Sequence, residues 1–136
     1  MPGTRHKART LALQALYEVD SVTRQPEAVV ERLLSQVKFT AANSDFVRDL
    51  VNGTLKNRNE IDQHIKKLAP AWPLDQMALI DRNILRLAIY EILFDNKVPV
   101  KVAVNEAVEL AKAFGSGSSA KFVNGVLGSV STMANR

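Results

Sequence analysis

Arg5, His6, Lys7 and Arg9 crowd into the first ten residues, and no acidic side chain occurs between Met1 and Tyr17. Cationic groups at that density suit an anionic polymer, because each guanidinium or ammonium can meet a phosphate. The chain has 18 Lys+Arg against 14 Asp+Glu, a net charge of +4, so Arg5, Lys7 and Arg9 carry most of the excess. Their placement works against local stability: the positive end of the helix dipole disfavours cations in a first turn, and Arg5 and Arg9 repel each other mildly at i,i+4. Residues that oppose their own helix mark a site kept for another purpose. On charge alone, a solvated arm fits as well as a binding face.

The element that must position these groups is a helix over about residues 4–22, in which Ala8, Leu11, Ala12, Ala15, Leu16 and Val19 make one apolar stripe. His6, Thr10 and Tyr17 lie on another face. At about 100° per residue they fall within some 40° of one another, which puts an aromatic ring on the stripe that carries the imidazole. Tyr17 then reads either as a ring for stacking on a base or as a tyrosine at the edge of the core.

Catalytic constellations are absent from the pattern. The two histidines, His6 and His64, stand far apart on different predicted helices, there is no cysteine, and no spacing supplies a metal ligand set. Gly115-Ser116-Gly117 lacks the strand and helix context of a phosphate loop. Glu106 and Glu109 at i,i+3 fit a solvated helix face. The chain is therefore expected to be no enzyme and to need no cofactor or metal. No signal-peptide run follows the basic start, and no apolar run approaches membrane-spanning length, so a cytoplasmic protein is expected.

The other elements are also read as helices. Pro26 opens a second, with Val29, Val30, Leu33, Leu34 and Val37 inward, ending near Lys38. Asn43, Ser44 and Asp45 offer caps for a third, with Phe46, Val47, Leu50, Val51 and Leu55 inward and Gly53 against a neighbour. After an interruption at Asn57-Arg58-Asn59, Ile61, Ile65 and Leu68 continue the pattern to Pro70 and Pro73. Leu74 to Phe94 is apolar around most of the cylinder and is expected to be the central helix. Val98, Val100, Val102 and Val104 alternate as a strand would, but Ala103, Ala107, Ala111 and Phe114 extend the helical period, and Gly115 stops it. A glycine and serine loop, flexible by composition, leads to a last helix with Phe122, Val123, Val126, Leu127 and Val130, where Gly125 and Gly128 allow close packing. The expected fold is all-α: about six or seven helices in two packed bundles, one domain over residues 1–136 with halves at approximately 1–70 and 71–136.

Three blocks of this sequence resemble the NusB family of transcription antitermination factors. Ala8-Arg9 with Leu13-Gln14-Ala15-Leu16-Tyr17 is similar to the family's first helix, and Asp81-Arg82-Asn83-Ile84-Leu85-Arg86-Leu87-Ala88-Ile89-Tyr90-Glu91 to its central helix. The run Val102-Ala103-Val104-Asn105-Glu106-Ala107-Val108-Glu109-Leu110-Ala111-Lys112, followed by Lys121-Phe122-Val123-Asn124-Gly125-Val126-Leu127, resembles its C-terminal signature. The blocks are colinear and span nearly the whole chain.

The resemblance implies a bacterial protein that pairs with the small-subunit ribosomal protein NusE, captures the single-stranded boxA element of nascent ribosomal transcripts and helps RNA polymerase resist termination in an antitermination complex. It also admits a homodimer. By position, it implies an RNA surface of Arg5, His6, Lys7, Arg9, Tyr17, Lys121 and Phe122 and a partner-facing surface at Asp81 and Arg82. Phe122 on periodicity alone reads equally as core, and Asp81 as a solvated carboxylate. His6 and Lys7 stand where many members have arginine, so fewer bidentate forks are available for phosphates. The Gly115 to Ser119 loop lacks an acid that some members carry, and Gly128 stands where an acid is common.

Overall fold

The apolar stripe of the first segment winds it into α1 (Thr4–Ser21), burying Ala8, Leu11, Ala12, Leu13, Ala15 and Leu16. In the computed structural model, which describes residues 4–22 and 24–134, six further helices follow: α2 (Pro26–Leu34), α3 (Ala41–Lys56), α4 (Arg58–Leu68), α5 (Leu79–Ile89), α6 (Val100–Phe114) and α7 (Ser119–Ser131). No strand occurs among the described residues. The valine alternation before Asn105 is thus helical, because the alanines at 103, 107 and 111 give α6 a narrow face that lies against α5 and α7.

Helices α1, α2 and α3 pack on one another, as do α5, α6 and α7, and α5 touches both groups. The expected central helix is shorter and more complex than its apolar run suggested. Leu74–Gln76 form a single 3₁₀ turn, α5 begins only at Leu79, and Tyr90–Asp95 wind as a π-helix that ends at Asn96 in the left-handed region, φ 58°. Ile84, Leu85, Leu87, Ala88, Ile89 and Ile92 are all buried along it.

Two boundaries differ from the sequence expectation. The cap of α3 is Thr40, whose Oγ1 accepts a hydrogen bond from the Asn43 amide at 3.1 Å, so Asn43, Ser44 and Asp45 lie within the first turns. Helix α2 stops at Leu34, four residues early. Gly125 and Gly128 face open space, so close packing does not explain them. Gly53 does meet a neighbour: a Cβ there would run into the Tyr90 ring of the π-helical turn. Gly53→Ala is therefore expected to lower stability by about 1–3 kcal/mol, read as a lower urea midpoint with unchanged slope.

A charged network ties α1 and α4 to the start of α5. Arg82 donates to both Asp20 oxygens (2.8 and 3.0 Å) and to the Leu74 carbonyl (3.0 Å). Arg86 donates to Asp20 (3.0 Å) and in a fork to Asp62 (2.8 and 3.0 Å), and Asn83 adds a bond to Asp20 (3.0 Å). Burial works to raise the Asp20 pKa, but the bonds from Arg82 and Asn83 and the charges of Arg86 and Arg82 outweigh it and hold the carboxyl below the usual range. A depressed carboxylate stabilises fully above its unfolded pKa, about 3.9, and that contribution is lost as pH falls through the folded value. The stability gap between wild type and Asp20→Asn is therefore expected to be widest near neutral pH and to narrow once pH falls below about 4, closing only below the folded value. Denaturant titrations at pH 7 and at successively lower pH read the narrowing.

Candidate nucleic-acid interface

The basic cluster of α1 divides once the helix packs. Its period turns Arg9 inward, to 3% exposure, where it forms a fork on Glu91 of the π-helical turn (Nε to Oε1 2.8 Å, Nη2 to Oε2 2.9 Å) and reaches Glu106 of α6 at 3.4 Å. Burial tends to depress the Arg9 pKa, but the Glu91 bond and the charges of Glu91 and Glu106 raise it, so the guanidinium stays charged. This corrects the expectation for Arg9: it is a buried internal cation that holds α1 to the C-terminal elements, with no free donor fork for a phosphate.

Its neighbours remain at the surface. Arg5 and Lys7 are exposed. The Arg5 guanidinium lies 4.1 Å over the Phe46 ring of α3, with Arg9 5.1 Å from the same ring, so Phe46 orients the cation without neutralising it. Half-exposed His6 pairs through Nδ1 with Glu106 Oε2 at 2.8 Å, which fixes the ring at the rim of the cationic face. Thr10 bonds the His6 carbonyl at 3.1 Å.

Tyr17 is 42% exposed and, with Thr10, lines an apolar cleft of about 560 Å³ whose other walls include Leu13, Gln14, Leu79, Ile80 and Phe114. Thr10 and Tyr17 of the stripe inferred from helical spacing thus form part of one wall of a concavity, which His6 does not line. A second cleft, of about 410 Å³, holds Lys121, Phe122, Asp81, Met77 and Trp72. Ala78, just before α5, borders both. Lys121 is exposed and Phe122 half-buried, its ring edge-on to Trp72 at 5.8 Å and 68°. Tyr17 in one cleft and Lys121 with Phe122 in the other thus line clefts that share Ala78, although 104 residues separate Tyr17 from Lys121.

The two residues expected to face a partner part company. Asp81 opens toward the second cleft, with its Oδ1 buried and lacking a hydrogen-bond donor among the described residues. Arg82 bonds Asp20 and Leu74, which ties the start of α5 to α1, and lines a further cleft with Trp72, Asp75 and Arg86.

Sequence reasoning missed two rings. Trp72, the single tryptophan, is 60% exposed, and Phe114, read from the sequence only as part of the helical period of α6, is 50% exposed. A lone tryptophan between Pro70 and Pro73 was a legible signal, since a large ring in a proline-rich turn has no helix face to bury it. No group of three or more metal-ligating side chains occurs among the described residues, and no helix of the described residues is long and apolar enough to cross a membrane.

An all-helical scaffold that exposes cations and rings around shared clefts defines a binding module. The chain belongs to the NusB family, whose sequence signature matches residues 6–132. It is 52% identical over 131 residues to the transcription antitermination protein NusB of Dehalococcoides mccartyi strain 195, covering 96% of this chain and 92% of that protein. It is 50% identical over 129 residues to the protein of the same name from Herpetosiphon aurantiacus, covering 93% and 88%. Among solved structures it superposes on T. maritima NusB with a TM-score of 0.89 at 30% identity, over 97% of this chain and 93% of that one. It also superposes, with a TM-score of 0.88 at 26% identity, on a chain of the crystal structure of the antitermination factors NusB and NusE in complex with double-stranded RNA, over 98% and 99%.

Proposed function

We propose that this chain is a non-enzymatic, cytoplasmic transcription antitermination factor that binds the boxA element of nascent ribosomal transcripts together with NusE and so supports processive transcription by RNA polymerase. One observation carries this reading: Thr10 and Tyr17 of α1, the helix on which Arg5 and Lys7 are exposed, wall a cleft that shares Ala78 with the cleft of Lys121 and Phe122. Arg5, Lys7 and Lys121 neutralise phosphates, His6 borders them, and Tyr17 and Phe122 offer faces to unstacked bases, a stacking term of about 1–3 kcal/mol per base. Arg9 serves this surface from within by fixing α1. The related complex holds double-stranded RNA together with NusE. Exposed rings favour a single strand here, because bases in a duplex have no free face to give.

The partner surface adjoins the second cleft, where Asp81 and the exposed Trp72 lie. A carboxylate lining a cleft beside a large exposed ring suits an incoming basic side chain. Three phosphate-neutralising cations predict that log affinity for single-stranded RNA falls with log salt at a slope of about −2. An affinity indifferent to salt between 50 and 300 mM, a range of order several-fold in ionic strength, would remove the phosphate contacts from this reading.

A further inference from the structure

Phe114 occupies a position that packing does not explain. It is the last residue of α6, and the turn that follows is tightly built: the Ser116 amide donates to Ser119 Oγ at 2.9 Å, the Ser119 amide to the Ser116 carbonyl at 3.1 Å, and the Gly115 amide to the Ala111 carbonyl at 2.9 Å. Ser119 is 1% exposed, and a Cβ on Gly115 would collide with it. The glycine and serine segment is therefore a closed turn that sets where α6 ends. It leaves the Phe114 ring half in water at the wall of the cleft opposite α1, whose Thr10, Gln14 and Tyr17 form the other side.

Two half-exposed rings, a floor of Leu13, Leu79 and Ile80, and the exposed amide of Gln14 make an apolar slot with a polar rim. Its α1 wall begins at Thr10, one helical turn after the exposed Lys7, whose ammonium would hold the backbone of whatever enters. A peptide side chain would gain little from that ammonium, whereas a nucleotide uses every part: ring faces for its base, an amide for its edge, the Lys7 ammonium for its phosphate. We infer that Phe114 and Tyr17 form a pocket for one unstacked nucleobase of the bound RNA, with Gln14 reading its edge. This rests on the RNA-binding reading above and adds to it a stacking residue and a reader. The Gln14 amide presents a donor and an acceptor side by side, so it pairs with bases whose edge carries both.

The test uses the full chain and a short single-stranded boxA RNA in which 2-aminopurine is placed at successive positions, with binding followed by anisotropy and stacking by quenching of the probe. One position is expected to quench on binding. Phe114→Leu, which keeps apolar bulk but removes the ring, is expected to abolish that quench and weaken binding about tenfold with the salt slope unchanged. Phe114→Trp is expected to retain both. Gln14→Leu is expected to lower the preference among bases at that position to within about twofold. The inference is overturned if Phe114→Leu binds RNA and quenches as wild type does, or if it loses NusE binding while RNA binding stays intact, which would make the slot a protein-docking site. If the wild-type chain binds no RNA with or without NusE, the RNA reading itself fails and the pocket with it. Circular dichroism melting confirms that each variant is folded before it is scored.

Discussion

Arg9→Ala is expected to melt about 10 °C or more below wild type, a loss of about 3–5 kcal/mol. The Arg9 guanidinium and the Glu91 carboxylate are both nearly free of solvent, at 4% and 3% side-chain exposure, and they join in a fork. Removing the cation breaks the fork and takes a positive charge away from a buried carboxylate, which costs far more than the pair contributes in net terms. The same principle predicts that the double variant Arg9→Met with Glu91→Leu recovers most of the loss, because apolar groups of similar size need no compensation. The double variant also isolates function from folding. If Arg9 is internal, it should bind single-stranded RNA with the wild-type salt slope; a slope shallower by about 0.7 would return Arg9 to the phosphate surface.

Arg5→Ala with Lys7→Ala is expected to have the opposite signature, near-native stability and weakened RNA binding. Both side chains are exposed, so little packing is lost beyond the Arg5 contact with Phe46. Removing two of three phosphate contacts should flatten the salt slope from about −2 to about −0.7 and weaken binding at low salt by one to two orders of magnitude, roughly 1–3 kcal/mol. NusE affinity should be unchanged, as that surface lies at the second cleft. Equal losses of RNA and NusE would make the first helix structural.

These two variants show where the sequence was readable. Helical periodicity placed α1, α6 and α7 well because each has a clean apolar stripe, and it put His6, Thr10 and Tyr17 on one face. The same period places Arg9 one position after Ala8 on the buried side, but a guanidinium there is intelligible only with its acceptor, and Glu91 lies 82 residues away. Local charge count treated four neighbouring groups as one cluster, whereas packing makes Arg9 internal and Arg5 and Lys7 external. The bonds of Arg82 were illegible for a similar reason: its acceptors are Asp20 on α1 and a carbonyl ahead of α5, and neither is visible from its own helix. Phe114 failed in the other direction. Its spacing fits the apolar face of α6, but α6 ends there, and the closed turn after it leaves no neighbour to cover the ring. Element ends are set by turn hydrogen bonds that periodicity does not encode, as Thr40 also shows in capping α3 ahead of the more obvious Asn43.

The scaffold and the interface are thus connected through a few charges. The Arg9 fork and the Asp20 network fix α1 against α5 and its π-helical extension, and both clefts border Ala78, just ahead of α5. The exposed cations need the internal ones to be held in register with the rings. The central claim, that this surface together with NusE reads a particular single strand, is tested most directly by titrating labelled boxA RNA and a scrambled RNA of equal composition with the full chain, in the presence and absence of NusE. The account predicts weak, salt-sensitive binding of both RNAs by the chain alone and a clear preference for boxA once NusE is present. Equal affinity for the two sequences in both conditions would contradict it.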